Sequence, residues 1–151
     1  MDEIIAKHDI AELRRWYGLA TDHIGSQDPE RVEKGRAIYH RIFTADAELG
    51  AAGVESVTGP DAWVDVVLEA LQPYPATQHL IGTQVVTDLD LDAGTASMTS
   101  YLQAWHAKPD NTLWLFIGTY EDELVRVNGE WKIARMLLVK VSGDTRTVDP
   151  E

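Results

Sequence analysis

The chain has no cysteine among its 151 residues, so no disulfide can staple it, and its thiol-free composition fits a reducing compartment. Basic residues are scarce. Thirteen Lys and Arg stand against 25 Asp and Glu, for a formal net charge of −12. That balance argues against nucleic acid, whose phosphates demand a basic face, and against an anionic membrane surface. The excess acid serves solubility. No run approaches the roughly 20 apolar residues of a membrane span, and Met1–His8 is too acidic and too short of apolar residues to read as a signal peptide. Ser-centred nucleophile motifs, glycine-rich phosphate loops and dinucleotide fingerprints are all missing. Gly50-Ala51-Ala52-Gly53 matches no phosphate loop and reads as a flexible connection. The expectation is a soluble, cytoplasmic protein with neither nucleic acid nor membrane as partner.

What is present fits one domain over residues 1–151, with a core of about 5–141 and a polar, mobile tail over 142–151. A chain of this length buries roughly 70% of the surface its unfolded form exposes. Apolar residues recur at helical spacing from residue 2 to about 25: Ile5, Ile10, Leu13, Trp16, Tyr17, Ala20 and Ile24. Asp28-Pro29-Glu30 starts a second helix, with Asp as N-cap and Pro in the first turn. It runs to about Thr44, with Val32, Ala37, Ile38, Ile42 and Phe43 facing inward. A short extended piece surrounds Ala47-Glu48-Leu49. Gly59-Pro60 opens a third helix through Leu71, its inner face carried by Trp63, Val66, Val67, Ala70 and Leu71. Pro73 and Pro75 end it.

The remainder is β. Strands are predicted over 78–89 and 95–107, joined across Asp92-Ala93-Gly94, and over 113–127 and 130–141, joined by Asn128-Gly129. Asn-Gly between apolar runs is the strongest short hairpin signal. Helices first and an antiparallel meander afterwards give an α+β fold, with helices on one face of a curved sheet and room for a cavity between the layers.

Tyr17, Asp22 and His79 are the residues that suggest chemistry. A neutral imidazole near pH 7 takes a proton from a carbon acidified by a neighbouring carbonyl, provided its tautomer is fixed with one nitrogen free. Asp22 is the candidate to hold that tautomer. Asp opposes the dipole near a helix C-terminus, so its position there is slightly costly. Tyr17 is a candidate donor to a substrate oxygen, and His106 a candidate second acid for a leaving hydroxyl. Each has a structural alternative. His79 caps a strand entry, Asp22 ends a helix, Tyr17 is a half-buried helix residue, and His106 closes a strand beside Lys108 and Asp110. His8, His23 and His40 read as helix-surface residues. A two-His-one-carboxylate metal set from His79, His106 and Asp22 finds no local ligand spacing to support it, and neither metal nor cofactor is expected. Cavity walls are expected from Trp16, Ile81, Leu102, Trp105, Trp114 and Phe116, although strand alternation puts Trp105 on the face opposite His106.

Several segments together resemble the SnoaL-like group of the NTF2-like superfamily. They are Ile10-Ala11-Glu12-Leu13 with Tyr17 and Asp22, then Phe43 to Leu49, His79 leading a long strand, and Ala96 to Tyr101. The last is Gly118 to Arg126, continuing through Asn128-Gly129-Glu130-Trp131-Lys132-Ile133. The resemblance implies a cone-shaped α+β fold. The Tyr17-x4-Asp22 spacing with the later His79 resembles bile acid 7α-dehydratases, where the corresponding residues are the functional set. An Asp and a His in similar places occur in scytalone dehydratase and hexachlorocyclohexane dehydrochlorinase. His106 falls where scytalone dehydratase places a second strand His. No single relative supplies this combination.

What the resemblance implies is a cofactor-independent lyase, a dehydratase-like enzyme acting on a small hydrophobic compound, polycyclic or aromatic, with a hydroxyl or ketone. The alternatives are an isomerase or polyketide-cyclase-type enzyme on the same residues, or a non-catalytic binding protein. A homodimer or homotrimer through the outer sheet face is expected, because an apolar strip exposed there marks an interaction site. Size-exclusion chromatography with light scattering is expected to give two or three times the chain mass, and a strictly monomeric peak contradicts it.

Overall fold

Two aspartates start the first two helices of the computed structural model, which describes residues 2–147. Asp2 accepts from the Ile4 amide at 2.8 Å and opens α1 (Glu3–Gly25); Asp28 accepts from the Arg31 amide at 3.0 Å and opens α2 (Pro29–Ile42). These side chains satisfy amides that have no partner within the helix. A third helix, α3 (Pro60–Leu71), follows Gly59. The strands are β1 (Phe43–Ala51), β2 (Val54–Thr58), β3 (Ala76–Asp90), β4 (Thr95–Ala107), β5 (Thr112–Val127) and β6 (Glu130–Thr147). They form one sheet in the order β2-β1-β6-β5-β4-β3, parallel between β1 and β6 and antiparallel elsewhere. The fold is α+β, with the N-terminal helices on one face of a curved, unclosed six-stranded sheet. Asn128 and Gly129 turn β5 into β6 with φ of 51° and 86°, the left-handed pair that a two-residue hairpin turn requires.

Three expectations need correction. Gly50–Gly53 is not a free connection: it belongs to a β1–β2 hairpin, and Val54–Thr58 is a strand that the short polar pattern concealed. The polar tail is strand as far as Thr147, paired with β5 from Ile117↔Ser142 to Thr112↔Thr147. Backbone pairing against an existing strand needs no apolar side chain, so hydropathy gave no sign of it. The last four residues of the expected tail lie outside the described residues. The helix faces also differ in phase. On α1, Ile5 is exposed and Trp16 half-exposed, while Arg14 is fully buried. On α2, Gly35 and Tyr39 are buried and Ala37 is exposed.

Arg14 explains the change of phase. Its guanidinium forms a two-pronged ion pair with Asp122 of β5, Nε donating at 3.1 Å and Nη2 more closely, with neither side chain exposed. The Tyr17 and Tyr120 rings cover it at 4.4 and 3.9 Å. Burial opposes the Arg14 charge, but the adjacent Asp122 carboxylate keeps it raised above its ordinary value. Planar donors facing a carboxylate make this geometry favourable for Arg in a way Lys cannot match. The outer sheet face leaves Leu80, Tyr101 and Val139 open.

Arg14→Met is expected to destabilise the protein by about 3–5 kcal/mol, because it strands a buried carboxylate. The double substitution Arg14→Met with Asp122→Leu is expected to recover most of that loss. Urea unfolding of the wild type and the two variants measures it.

Candidate functional site

Asp22 lies one turn from the end of α1, and its carboxylate accepts three hydrogen bonds from the first residues of β3. They come from Thr77 Oγ1 at 2.9 Å, the His79 amide at 3.0 Å and His79 Nδ1 at 2.7 Å. Thr77 and His79 are two apart on a strand and so share a face. The close approach of α1 to β3 is permitted by Gly18, one turn before Asp22. A Cβ there would come within 3.2 Å of the Ile81 side chain and 3.3 Å of the His79 carbonyl. A carboxylate can only accept, so the contact fixes the His79 tautomer: Nδ1 carries the proton. No described residue bonds Nε2.

His79 lines a cavity of about 260 Å³ between the helices and the sheet. Tyr17 and His106 line it as well, with Trp63 and Tyr74 from the helical side and Leu102, Trp114, Phe116 and Tyr120 from the sheet. Among the described residues, no Asp, Glu, Lys or Arg side chain lines it. Asp22 stands behind His79, outside the lining.

Tyr17 is 2% exposed. Its hydroxyl accepts from Trp63 Nε1 at 3.0 Å, and its ring stacks on Tyr39 with centroids 5.3 Å apart. His106 is wedged among Tyr74, Trp114 and His79 at centroid distances of 4.8, 4.4 and 6.0 Å. Its Nδ1–H donates to the Trp114 carbonyl at 3.2 Å. Burial pushes the His106 imidazole down to about 4, so it is neutral at pH 7. It then presents Nε2 as an acceptor rather than an imidazolium acid. That departs from the leaving-group acid expected of it.

The structure brings Tyr17, His79 and His106 to one cavity, with Asp22 as support. Of the expected walls, Leu102, Trp114 and Phe116 line it. Trp16, Ile81 and Trp105 do not. Trp16 packs at the surface under Arg41, 4.4 Å from ring to guanidinium. Ile81 packs against Gly18, and Trp105 faces the other side of β4 from the buried Ala104 and His106. Thr77, Trp63, Tyr74 and Tyr120 were missed as site residues. Alternation finds two of them: Thr77 shares a face with His79, and Tyr120 shares one with Phe116.

A family model for the SnoaL-like domain matches residues 2–137. The chain belongs to the SnoaL-like family. No match to a curated protein accompanies it. This SnoaL-like chain is similar in structure to LinA-type3, a hexachlorocyclohexane dehydrochlorinase from Novosphingobium barchaimii. The two share 15% identity over 98% of this chain and 97% of that one, with a TM-score of 0.80. It is similar also to a Novosphingobium aromaticivorans protein proposed as a scytalone dehydratase, at 20% identity over 97% and 91% of the two chains and a TM-score of 0.75. A third is the Kfla4162 protein of Kribbella flavida, at 21% identity over 95% of each chain and a TM-score of 0.77. These likenesses establish the NTF2-like fold of the SnoaL-like domain. Among the described residues, no helix is long and apolar enough to cross a membrane.

The low value at His106 has a sign that can be tested. The folded state keeps this imidazole neutral down to about 4, whereas the unfolded chain protonates it near 6.5. The unfolded state therefore binds more protons between those values. The contribution to stability is complete above about pH 6.5 and is lost as pH falls toward 4, by at most about 3 kcal/mol. His106→Gln is expected to flatten that part of the stability–pH curve, measured by denaturant unfolding at successive pH values.

Proposed function

We propose that this protein is a cofactor-independent lyase, catalysing a dehydratase-like elimination on a small, neutral hydrophobic compound that bears a ketone or hydroxyl. One observation carries the reading. A histidine with its tautomer held by a carboxylate presents its free nitrogen to an apolar cavity. His79 Nε2 removes a proton from the carbon next to a carbonyl, and Asp22 stabilises the imidazolium as it forms. Tyr17 donates to the oxygen where negative charge gathers. His106, neutral at pH 7, accepts from a substrate hydroxyl and orients it. The β-hydroxyl then departs with its bonding electron pair and takes the proton held on His79 Nε2, so that water leaves, the carbon–carbon double bond forms and the imidazole returns to its neutral state.

Two of the structural relatives support this choice of reaction class. One carries the name of a dehydrochlorinase and another that of a dehydratase, and both names denote elimination. The cavity surroundings agree. Water is poorly accommodated among aliphatic and aromatic walls, so a carbanion or enolate formed there is protected from random reprotonation. A neutral substrate follows from the lining, which offers an ionised ligand group no opposite charge.

A second reading, an isomerase, is favoured by the neutral state of His106. Moving a proton between two carbons needs one base and no charged acid, and His79 supplies the base. Product mass separates the two: elimination of water lowers it by the mass of water, and isomerisation leaves it unchanged.

His79→Ala and Asp22→Asn are each expected to lower turnover at least about a hundredfold while the far-ultraviolet circular dichroism spectrum is retained. Screening hydroxy-ketones of one to three fused rings by mass spectrometry supplies the assay. Turnover of a hit at wild-type rates in either variant sinks the base assignment.

A further inference from the structure

The Tyr17 hydroxyl is already half-committed within the protein. An indole N–H only donates, and Trp63 Nε1 donates to this oxygen at 3.0 Å in a buried setting. The Tyr17 oxygen is therefore an acceptor toward α3, and its own proton remains to be placed. Two of the neighbouring hydroxyls, those of Thr21 and Tyr39, have their directions set. Thr21 gives its proton to the Tyr17 backbone carbonyl at 2.8 Å, so in the 2.6 Å contact between Thr21 and Tyr39 it is Tyr39 that donates. The Tyr39 and Tyr120 hydroxyls stand beside the Tyr17 oxygen and act on it side chain to side chain, but among the described residues neither is placed at full hydrogen-bond geometry to take its proton, whereas Trp63 is so placed to donate. Tyr17, Trp63 and His79 all line the same cavity. The Arg14 guanidinium lies 4.4 Å from the Tyr17 ring centre.

We propose that Trp63 is a positioning residue: by holding the Tyr17 oxygen from the α3 side, it aims the phenol proton into the cavity and makes Tyr17 a dedicated donor to a neutral carbonyl or ether-type oxygen on the ligand. The proposal rests on the reading of this cavity as the reaction site, and it adds an oxygen-recognition pair opposite the base. A hydroxyl that accepts one hydrogen bond is polarised and gives a stronger one in turn. Removing the indole N–H therefore weakens recognition of the ligand's oxygen, with little effect on the ring that carries it.

The test compares two neutral bicyclic probes of the same shape, 1-tetralone with its carbonyl and tetralin without one, by titration calorimetry. Wild-type protein is expected to prefer 1-tetralone. Trp63→Phe is expected to cut that preference about three- to tenfold, the range of one modest hydrogen bond, on top of whatever change the smaller ring makes to both probes alike. Tyr17→Phe is expected to abolish the preference, and adding Trp63→Phe to it to lose nothing further. The infrared carbonyl stretch of bound 1-tetralone is expected at lower frequency in wild type and higher in both single variants. If Trp63→Phe does not fold, the benzothiophene analogue of tryptophan at position 63 keeps the shape without the N–H and carries the same expectation. Equal weakening of both probes by Trp63→Phe, additive losses in the double variant, or an unshifted stretch in wild type overturns the proposal. Binding of both probes with no preference for the carbonyl overturns this proposal alone. Binding of neither overturns the cavity reading with it.

Discussion

The Asp22 carboxylate is the contact on which the site depends. It takes three donors from two residues of β3, and so ties the last full turn of α1 to the first residues of a strand 55 positions later in sequence. One of the three donors is the imidazole itself. The link that joins helix to sheet is also the link that fixes the tautomer of His79. A charged acceptor makes each of these hydrogen bonds stronger than a neutral one, which offsets the cost of placing an anion near the negative end of a helix.

Two turns earlier, α1 is held again, by Arg14 on Asp122 of β5. The two anchors lie on opposite sides of Tyr17 along the helix. With both in place the helix can neither slide nor roll over the sheet without stranding a charge, and the Tyr17 hydroxyl is delivered to Trp63 and the cavity. Burial of Arg14 and Asp122 gains little over an apolar pair of equal volume. What the pair does supply is a single helix register, since the two-pronged geometry tolerates little displacement.

The cavity follows from the same layering. Helices bridging a curved sheet leave space where the sheet bends away, and aromatic and aliphatic side chains of α3, β4 and β5 narrow it to about 260 Å³. Polar atoms reach it at a few points, chiefly Tyr17, His79 and His106, each fixed by a contact on its far side: Trp63, Asp22 and the Trp114 carbonyl. Groups held from behind reorganise little when a ligand arrives, which is the condition for electrostatic help to a developing charge.

Local patterning was enough to place most elements. Asp28-Pro29 marked the start of α2, Asn128-Gly129 marked the β5–β6 turn, and alternation put His106 on the face of Leu102 and away from Trp105, because caps, turns and strand faces are decided within a few residues. Residue types together with the resemblance to the SnoaL-like group pointed to Tyr17, Asp22 and His79 as candidates. The strands at 54–58 and 142–147 were invisible because they are held by backbone pairing with distant partners and carry no apolar pattern. Which face of α1 turns inward was decided by Asp122, more than a hundred residues away; with no way to pair Arg14, hydropathy pointed Trp16 into the core instead. The neutrality of His106 and the direction of the Tyr17 hydroxyl belong to the tertiary structure too. A pKa and a proton's orientation are set by burial and by partners that only the folded chain brings within reach.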